Sequence, residues 1–349
     1  MAPLPTSLRL IAPDDWHVHL RDGEVLAHVV GDTARQFRRA VVMPNLVPPI
    51  TTTAMALAYR DRILSALPQP GAFEPLMTLY LTDSTSAAGI TRAAESGAVR
   101  AVKLYPAGAT THADAGVTDL ERLYPVLEAM ARAGLPLLVH GEETDPAVDV
   151  FDRERVFIDR QLAPLVDRMP GLKVVLEHVS THEGVEFVKA GPPTLGATVT
   201  AHHLLINRNA VLAGGIQPHH YCLPVVKREE DRLALLAAVA SGHPRFFLGT
   251  DSAPHARSRK ESPRGPAGIY TAHAALELYA EAFEEAAALD RLEAFASVNG
   301  PAFYGLARNE GHATLVREAN AVPRSLPLGE EGELVPFRAG EVLAWRLAG

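Results

Sequence analysis

Asp14-Asp15-Trp16-His17-Val18-His19-Leu20-Arg21-Asp22-Gly23 is the stretch on which the fold turns. Alternation along a strand sends neighbouring side chains to opposite faces, so His17 and His19 leave the same face with one apolar residue between them. Two imidazoles side by side at a strand end chelate a borderline-soft cation such as Zn2+. Arg21, just beyond, adds a planar cationic fork suited to a carboxylate. A motif this short matches by chance in many chains, so its weight depends on whether other strands end the same way.

They do. Working outward, short apolar runs at residues 14–20, 40–45, 75–81, 101–105, 136–140, 173–178, 194–202 and 246–251 read as strands. Helix-length segments rich in Ala, Leu, Glu and Arg lie between them, at 53–67, 85–96, 120–133, 152–169, 184–190 and 229–241. A strand followed by a crossover is the parallel β/α unit, and eight such units predict an α/β protein built as a closed (β/α)8 TIM barrel. Runs such as LMTLYL, LPLLV and KVVL are apolar without alternation, as strands buried on both faces should be. One domain over residues 1–349 is expected, with 314–349 a short C-terminal extension packed on the barrel and not a separate domain.

Polar residues gather at the carboxyl ends of these runs: His17, His19 and Arg21, then Asn45, Lys103, His140, Glu177-His178 and Asp251. Barrel active sites occupy that face. A net charge of −8 argues against nucleic acid or an anionic membrane as partner, so an anionic substrate must meet a local cluster of cations. Cys222 is the single cysteine, which excludes an internal disulfide and predicts a reducing, cytoplasmic setting. No apolar run approaches membrane-spanning length, and residues 1–10 carry no basic-then-apolar signal.

His17, His19, Lys103, His140, His178 and Asp251 are the candidate metal ligands. A mononuclear catalytic zinc takes about three protein ligands plus water, so four histidines and an aspartate exceed one ion. Two ions roughly 3.5–4 Å apart would use them all. Lys103 fits as a ligand if its amine is deprotonated and captures CO2, giving a carbamate whose two oxygens can bridge the metals; the alternative is a surface or salt-bridging lysine, which its place at the end of a buried strand disfavours. Asp14, beside the histidine pair, is a candidate to orient a ligand imidazole. His202 and His203 read as outer or packing groups at a strand end, and Cys222 as a small buried apolar residue. Arg257, Arg259 and Lys260 read either as a solvated loop or as added positive potential for a dianion.

With this set in place the chain closely resembles class II dihydroorotases of the amidohydrolase superfamily. The matching pieces, in order, are DDWHVHLRDG, MPNLVPPITT, KLYPAGATTHADAGVTD, LLVHGE, EHVSTH, ATVTAHHLL, YCLPVVK and GTDSAPHARSRKE. The resemblance implies two Zn2+ per chain: His17 and His19 on the more buried ion, His140 and His178 on the other, and N6-carboxylated Lys103 bridging them. It implies that Asp251 binds the first ion and serves as general acid/base. Arg21, Asn45 and His255, with main-chain groups near Leu223 and Ala267, would hold the substrate α-carboxylate. Residues 107–117 would form a mobile lid whose Thr110 and Thr111 reach the substrate, its middle (112–115) and the region after Lys260 looking less constrained. The implied reaction is the reversible cyclisation of N-carbamoyl-L-aspartate to L-dihydroorotate in pyrimidine biosynthesis, by a homodimer.

Two alternatives stand beside it. Dihydropyrimidinases, hydantoinases and allantoinases share the metal set, but they carry a longer segment before H-x-H, where sixteen residues precede His17 here. Their substrates also mostly lack the carboxylate that Arg21, Asn45 and His255 would hold. A non-catalytic scaffold is the other, and such proteins lose ligands that this chain keeps.

Overall fold

The computed structural model of the chain describes residues 5–69, 71 and 73–348. The outermost positions of the expected domain and tail, 1–4 and 349, lie outside the described residues. A first strand, β1 (Ser7–Ile11), precedes eight parallel strands: β2 (Asp14–Val18), β3 (Arg39–Val42), β4 (Glu74–Tyr80), β5 (Val99–Leu104), β6 (Leu137–Val139), β7 (Val174–Leu176), β8 (Leu195–Val199) and β9 (Phe246–Leu248). They pair strictly in chain order. The ring closes just past β9, where Asp251 N donates to His17 O at 2.8 Å and His19 N to Ser252 O at 3.1 Å. The eight expected strands are all present, and the barrel is the predicted one. Most strands stop before the polar residues expected to end them, because those residues turn out of the ladder to face the mouth.

One residue per strand points inward at mid-height: Trp16, Val41, Leu76, Ala101, Leu138, Val175 and Phe247 form the interior cluster with Phe303. β8 contributes Gly196, where a Cβ would press within 3.0 Å of both Phe247 and Phe303. The helix Asn299–Tyr304 plugs the bottom, with Tyr304 stacked on Trp16 at 4.2 Å between centroids. Its Gly300 lies flat on the Trp16 indole, so a methyl there would occupy the same space as the ring. Helix propensity favours alanine over glycine by about 1 kcal/mol, while forcing atoms into a packed core costs about 1–3 kcal/mol or more. Gly300→Ala should therefore lower the melting temperature by several degrees in a calorimetric scan, with an unchanged or raised value contradicting this packing.

At the same end, Arg39 forks onto Asp14 through bonds of 2.9 and 2.7 Å, both groups buried. Asp14 is thus committed to tying β2 to β3 at the base and does not orient an imidazole, contrary to the expectation from its position beside the pair. Beyond the barrel, β10 (His312–Ala321) lies between β1 and β13 (Val342–Leu347) in an antiparallel sheet. β11 (Leu326–Pro327) and β12 (Glu333–Leu334) make a small ladder of their own. Trp345, fully buried, donates from Nε1 to Glu284 at 2.9 Å, docking this tail on the helix Ala275–Glu285.

Candidate active site

Strand periodicity builds the site. Two residues above the interior cluster on each strand come Lys103 after Ala101, His140 after Leu138, Glu177 after Val175 and Thr198 after Gly196, all on the inward face. His178 and Asp251 break the alternation with left-handed backbone, φ 42° and 45°, which swings each side chain back over the mouth. Arg21, at φ 57°, does the same beyond β2. Non-glycine residues in this region are uncommon and cluster at functional sites.

The imidazoles are held from outside and converge inside. His17 Nδ1 donates to Glu177 at 2.7 Å, His19 Nδ1 to Asn45 Oδ1 at 2.9 Å and His140 Nε2 to Glu142 at 2.8 Å. Their other nitrogens face one another's partners. His17 Nε2 and His19 Nε2 lie 3.3 and 3.0 Å from Asp251 Oδ1, and His140 Nδ1 lies 3.2 Å from His178 Nε2. An outer acceptor on one ring nitrogen leaves the lone pair of the other free for a cation, the usual arrangement of metal-ligating histidine. Burial first of all pushes His19 down to about 3 and His140 and His178 below the ordinary imidazole value, so these rings are neutral donors. Burial is the largest influence on His17 and pushes it down, but the Glu177 and Asp251 carboxylates together reverse it and the net direction is upward. Asp251 is opposed by burial and held well below the carboxylate range by His17 and His19.

Lys103 is fully buried beneath this cluster, and its Nζ has no hydrogen-bond partner. Burial pulls the amine down to about 8, against the raising influence of Glu177 and Asp251. An orphaned buried amine is costly, and among five metal-capable neighbours it fits a residue completed by a further group. The donor set as a whole fits one or two cations: three nitrogen or oxygen atoms from His17, His19 and Asp251 within 4.8 Å of one another, and the His140–His178 pair beside them.

The substrate side lies against the same cluster. Arg21, Asn45, Thr110, Thr111, Leu223 and Ala267 line one pocket with His17, His19, His140, His178 and Asp251. His255 stands just behind it, its Nε2 3.0 Å from both Arg21 Nη2 and Ala267 O. Loop 107–117 folds over the top: Asn45 Nδ2 donates to Thr111 O at 3.2 Å, and Thr111 Oγ1 to Ala267 O at 3.3 Å. Its middle is anchored as well. Ala113 is fully buried, and His112 Nδ1 reaches Asn45 O at 3.3 Å.

Several groups were placed differently, or not at all, by the sequence reading. Glu177, which in the sequence stands out only as the neighbour of His178, is aimed at the site by its inward phase from Val175 and holds His17. Asp15 accepts from His17 N, Thr250 N and Thr250 Oγ1 at 3.1, 2.9 and 2.6 Å, bracing the seam that carries Asp251. His202 and His203 do not end a strand; they sit on the helix Ala201–Leu205 that follows it. His203 spends both ring nitrogens on Thr200 and Pro224 O, and Cys222 is buried beside them with its thiol pushed up to about 12 by burial. Lys260 is buried and not solvated.

Eight parallel strands with imidazole and carboxylate donors converging at the carboxyl mouth define a barrel hydrolase whose donor set suits a metal. The chain belongs to the amidohydrolase family, which matches residues 10–327. Within that family it stands with the dihydroorotases. It is 64% identical to the dihydroorotase of Nitrosococcus oceani over 343 residues, 98% of this chain and 99% of that one. The crystal structure of dihydroorotase from Campylobacter jejuni superposes with a TM-score of 0.91 at 36% identity, covering 100% of this chain and 99% of that chain. The dihydroorotase of Saccharomyces cerevisiae in complex with 5-fluoroorotic acid gives 0.91 at 32% identity, covering 99% of each.

Proposed function

We propose that the chain catalyses the reversible cyclisation of N-carbamoyl-L-aspartate to L-dihydroorotate, the ring-closing step of pyrimidine biosynthesis. The observation that carries this reading is the single pocket in which the His/Asp donor cluster meets the Arg21–Asn45–His255 group. A bare cyclic amide would leave that cationic group without a partner; a ring bearing a carboxylate fills it.

His17, His19 and Asp251 would hold one zinc ion and His140 and His178 a second, with carboxylated Lys103 between them. When bound, such a pair lowers the pKa of water and polarises the carbonyl under attack. The rest is the work of the chain. Arg21 offers its fork to the α-carboxylate, with Asn45, His255 and the main chain at Leu223 and Ala267 closing around it. That fixes the ring amide over Asp251. In hydrolysis the Asp251 carboxylate takes the proton of the attacking water and delivers it to the departing ring nitrogen; in cyclisation it receives the proton of the ureido nitrogen. Thr110 and Thr111 close over the ring and exclude bulk water, and the lid opens to exchange substrate and product. We carry over from the resemblance a homodimer in the cytoplasm. Among the described residues no helix is long and apolar enough to cross a membrane.

Parallel assays with L-dihydroorotate, dihydrouracil and allantoin test the assignment: turnover should be confined to dihydroorotate, and a preference for either uncarboxylated or ureide ring would overturn it. The equilibrium offers a second check. N-carbamoyl-L-aspartate carries two carboxylates and dihydroorotate one, so ring closure consumes a proton. Above the carboxylate pKa values, near 4, the ratio of ring to open form should fall about tenfold per pH unit. Chromatography of mixtures equilibrated from both directions between pH 6 and 8 measures it; a ratio flat with pH would mean a different reaction.

A further inference from the structure

Lys260 closes the helix Arg257–Lys260, a few residues after His255, and is 3% exposed. An ammonium has three donors and no acceptor. All three are used: Nζ donates to Tyr221 O at 2.8 Å, Pro266 O at 2.9 Å and Gly268 O at 2.8 Å. The first acceptor lies two residues before Leu223, and the other two flank Ala267 on either side. The same segments are also bonded to each other, Gly268 N to Tyr221 O at 3.0 Å. The loop is drawn in so tightly that a Cβ at Gly265 would collide with Lys260 O, and one at Gly268 would press to 2.9 Å against the His255 ring. A lysine with no donor left cannot itself bind an anion. It can only hold the groups that do.

We infer that Lys260 is the positioning residue of the carboxylate subsite: one ammonium gathers the main chain around Leu223 and Ala267 and sets it against Arg21 and His255. This rests on the reading of the pocket as a dihydroorotate site. A neutral donor would satisfy fewer of the three carbonyls that the ammonium holds.

The test uses the full-length enzyme and Lys260→Met, which keeps the length of the side chain and removes every donor. KM for L-dihydroorotate should rise by about tenfold or more while kcat stays within about threefold. Inhibition by 5-fluoroorotate should weaken in parallel, and metal content per chain should not change. A lysine that merely supported the fold would instead lower the melting temperature and kcat together and leave KM where it was; that result overturns the inference, as does an unaltered KM in a stable variant. If Lys260→Met fails to fold by circular dichroism, Lys260→Gln, which keeps an amide donor, should show the same rise in KM to a smaller degree. Failure of both to fold would assign Lys260 to the barrel and not to the subsite. Wild-type enzyme without turnover of dihydroorotate would defeat the functional reading, an outcome distinct from all of these.

Discussion

Asp251→Asn should lower kcat by about three orders of magnitude, the range seen when a positioned proton carrier is lost, while KM stays within about threefold. The geometry separates the chemistry from the fold. Asp251 N would still donate to His17 O across the seam, and asparagine tolerates the φ of 45° as well as aspartate does. The amide oxygen can still face the imidazoles of His17 and His19. What disappears is the basic carboxylate oxygen that takes up and releases a proton. In the native site the carboxylate is ionised at neutral pH, because the two imidazoles outweigh burial. It can accept a proton from an attacking water, and as a strong acid it then gives that proton up readily to a leaving nitrogen. Asparagine does neither. Steady-state kinetics in the hydrolytic direction, with metal content measured on the same sample, decides it. A variant within tenfold of wild-type kcat would remove Asp251 from proton transfer.

The barrel was legible because its strands are short, apolar and bounded, and because parallel strands buried on both faces leave an unmistakable run. The ligands were legible because each follows such a run. What escaped was set by contacts between distant parts of the chain. Asp14 and Asp15 are adjacent in sequence, yet the pairing of β2 with β3 gives Asp14 to Arg39, while closure onto β9 gives Asp15 to Thr250. Nothing local distinguishes them. Glu177 could have been found by counting two residues up from Val175, once the inward phase of β7 was known. Lys260 could not, since its partners are main-chain carbonyls from two other segments, and a carbonyl has no signature in a sequence. The lid middle, 112–115, looks variable in the sequence, yet the small side chain of Ala113 is buried and His112 holds the loop close over Asn45.

Lys103→Ala should abolish activity, by about a thousandfold or more, and reduce bound metal, with the barrel intact. The strand environment supports the last point: Lys103 follows Ala101 on the inward face, and its backbone pairing between β4 and β6 does not involve the side chain. The first points follow from the orphaned amine. A fully buried Nζ with no acceptor is a liability that a plain lysine would not sustain without a further group. Burial already favours the neutral amine, and a neutral amine adds CO2 to give a carbamate, releasing one proton. That converts a misplaced cation into an anion with two oxygens, the charge and shape the neighbouring donors call for. Alanine leaves a cavity of the right size for a short carboxylate to stand in. Acetate or propionate at millimolar levels should therefore restore part of both the metal content and the rate, while chloride at equal ionic strength should restore neither. Elemental analysis and initial rates on dialysed protein, with and without bicarbonate and added carboxylate, make the comparison. Full metal occupancy and a normal rate in Lys103→Ala would defeat the carbamate, and the second cation would then have to be held by the histidines alone.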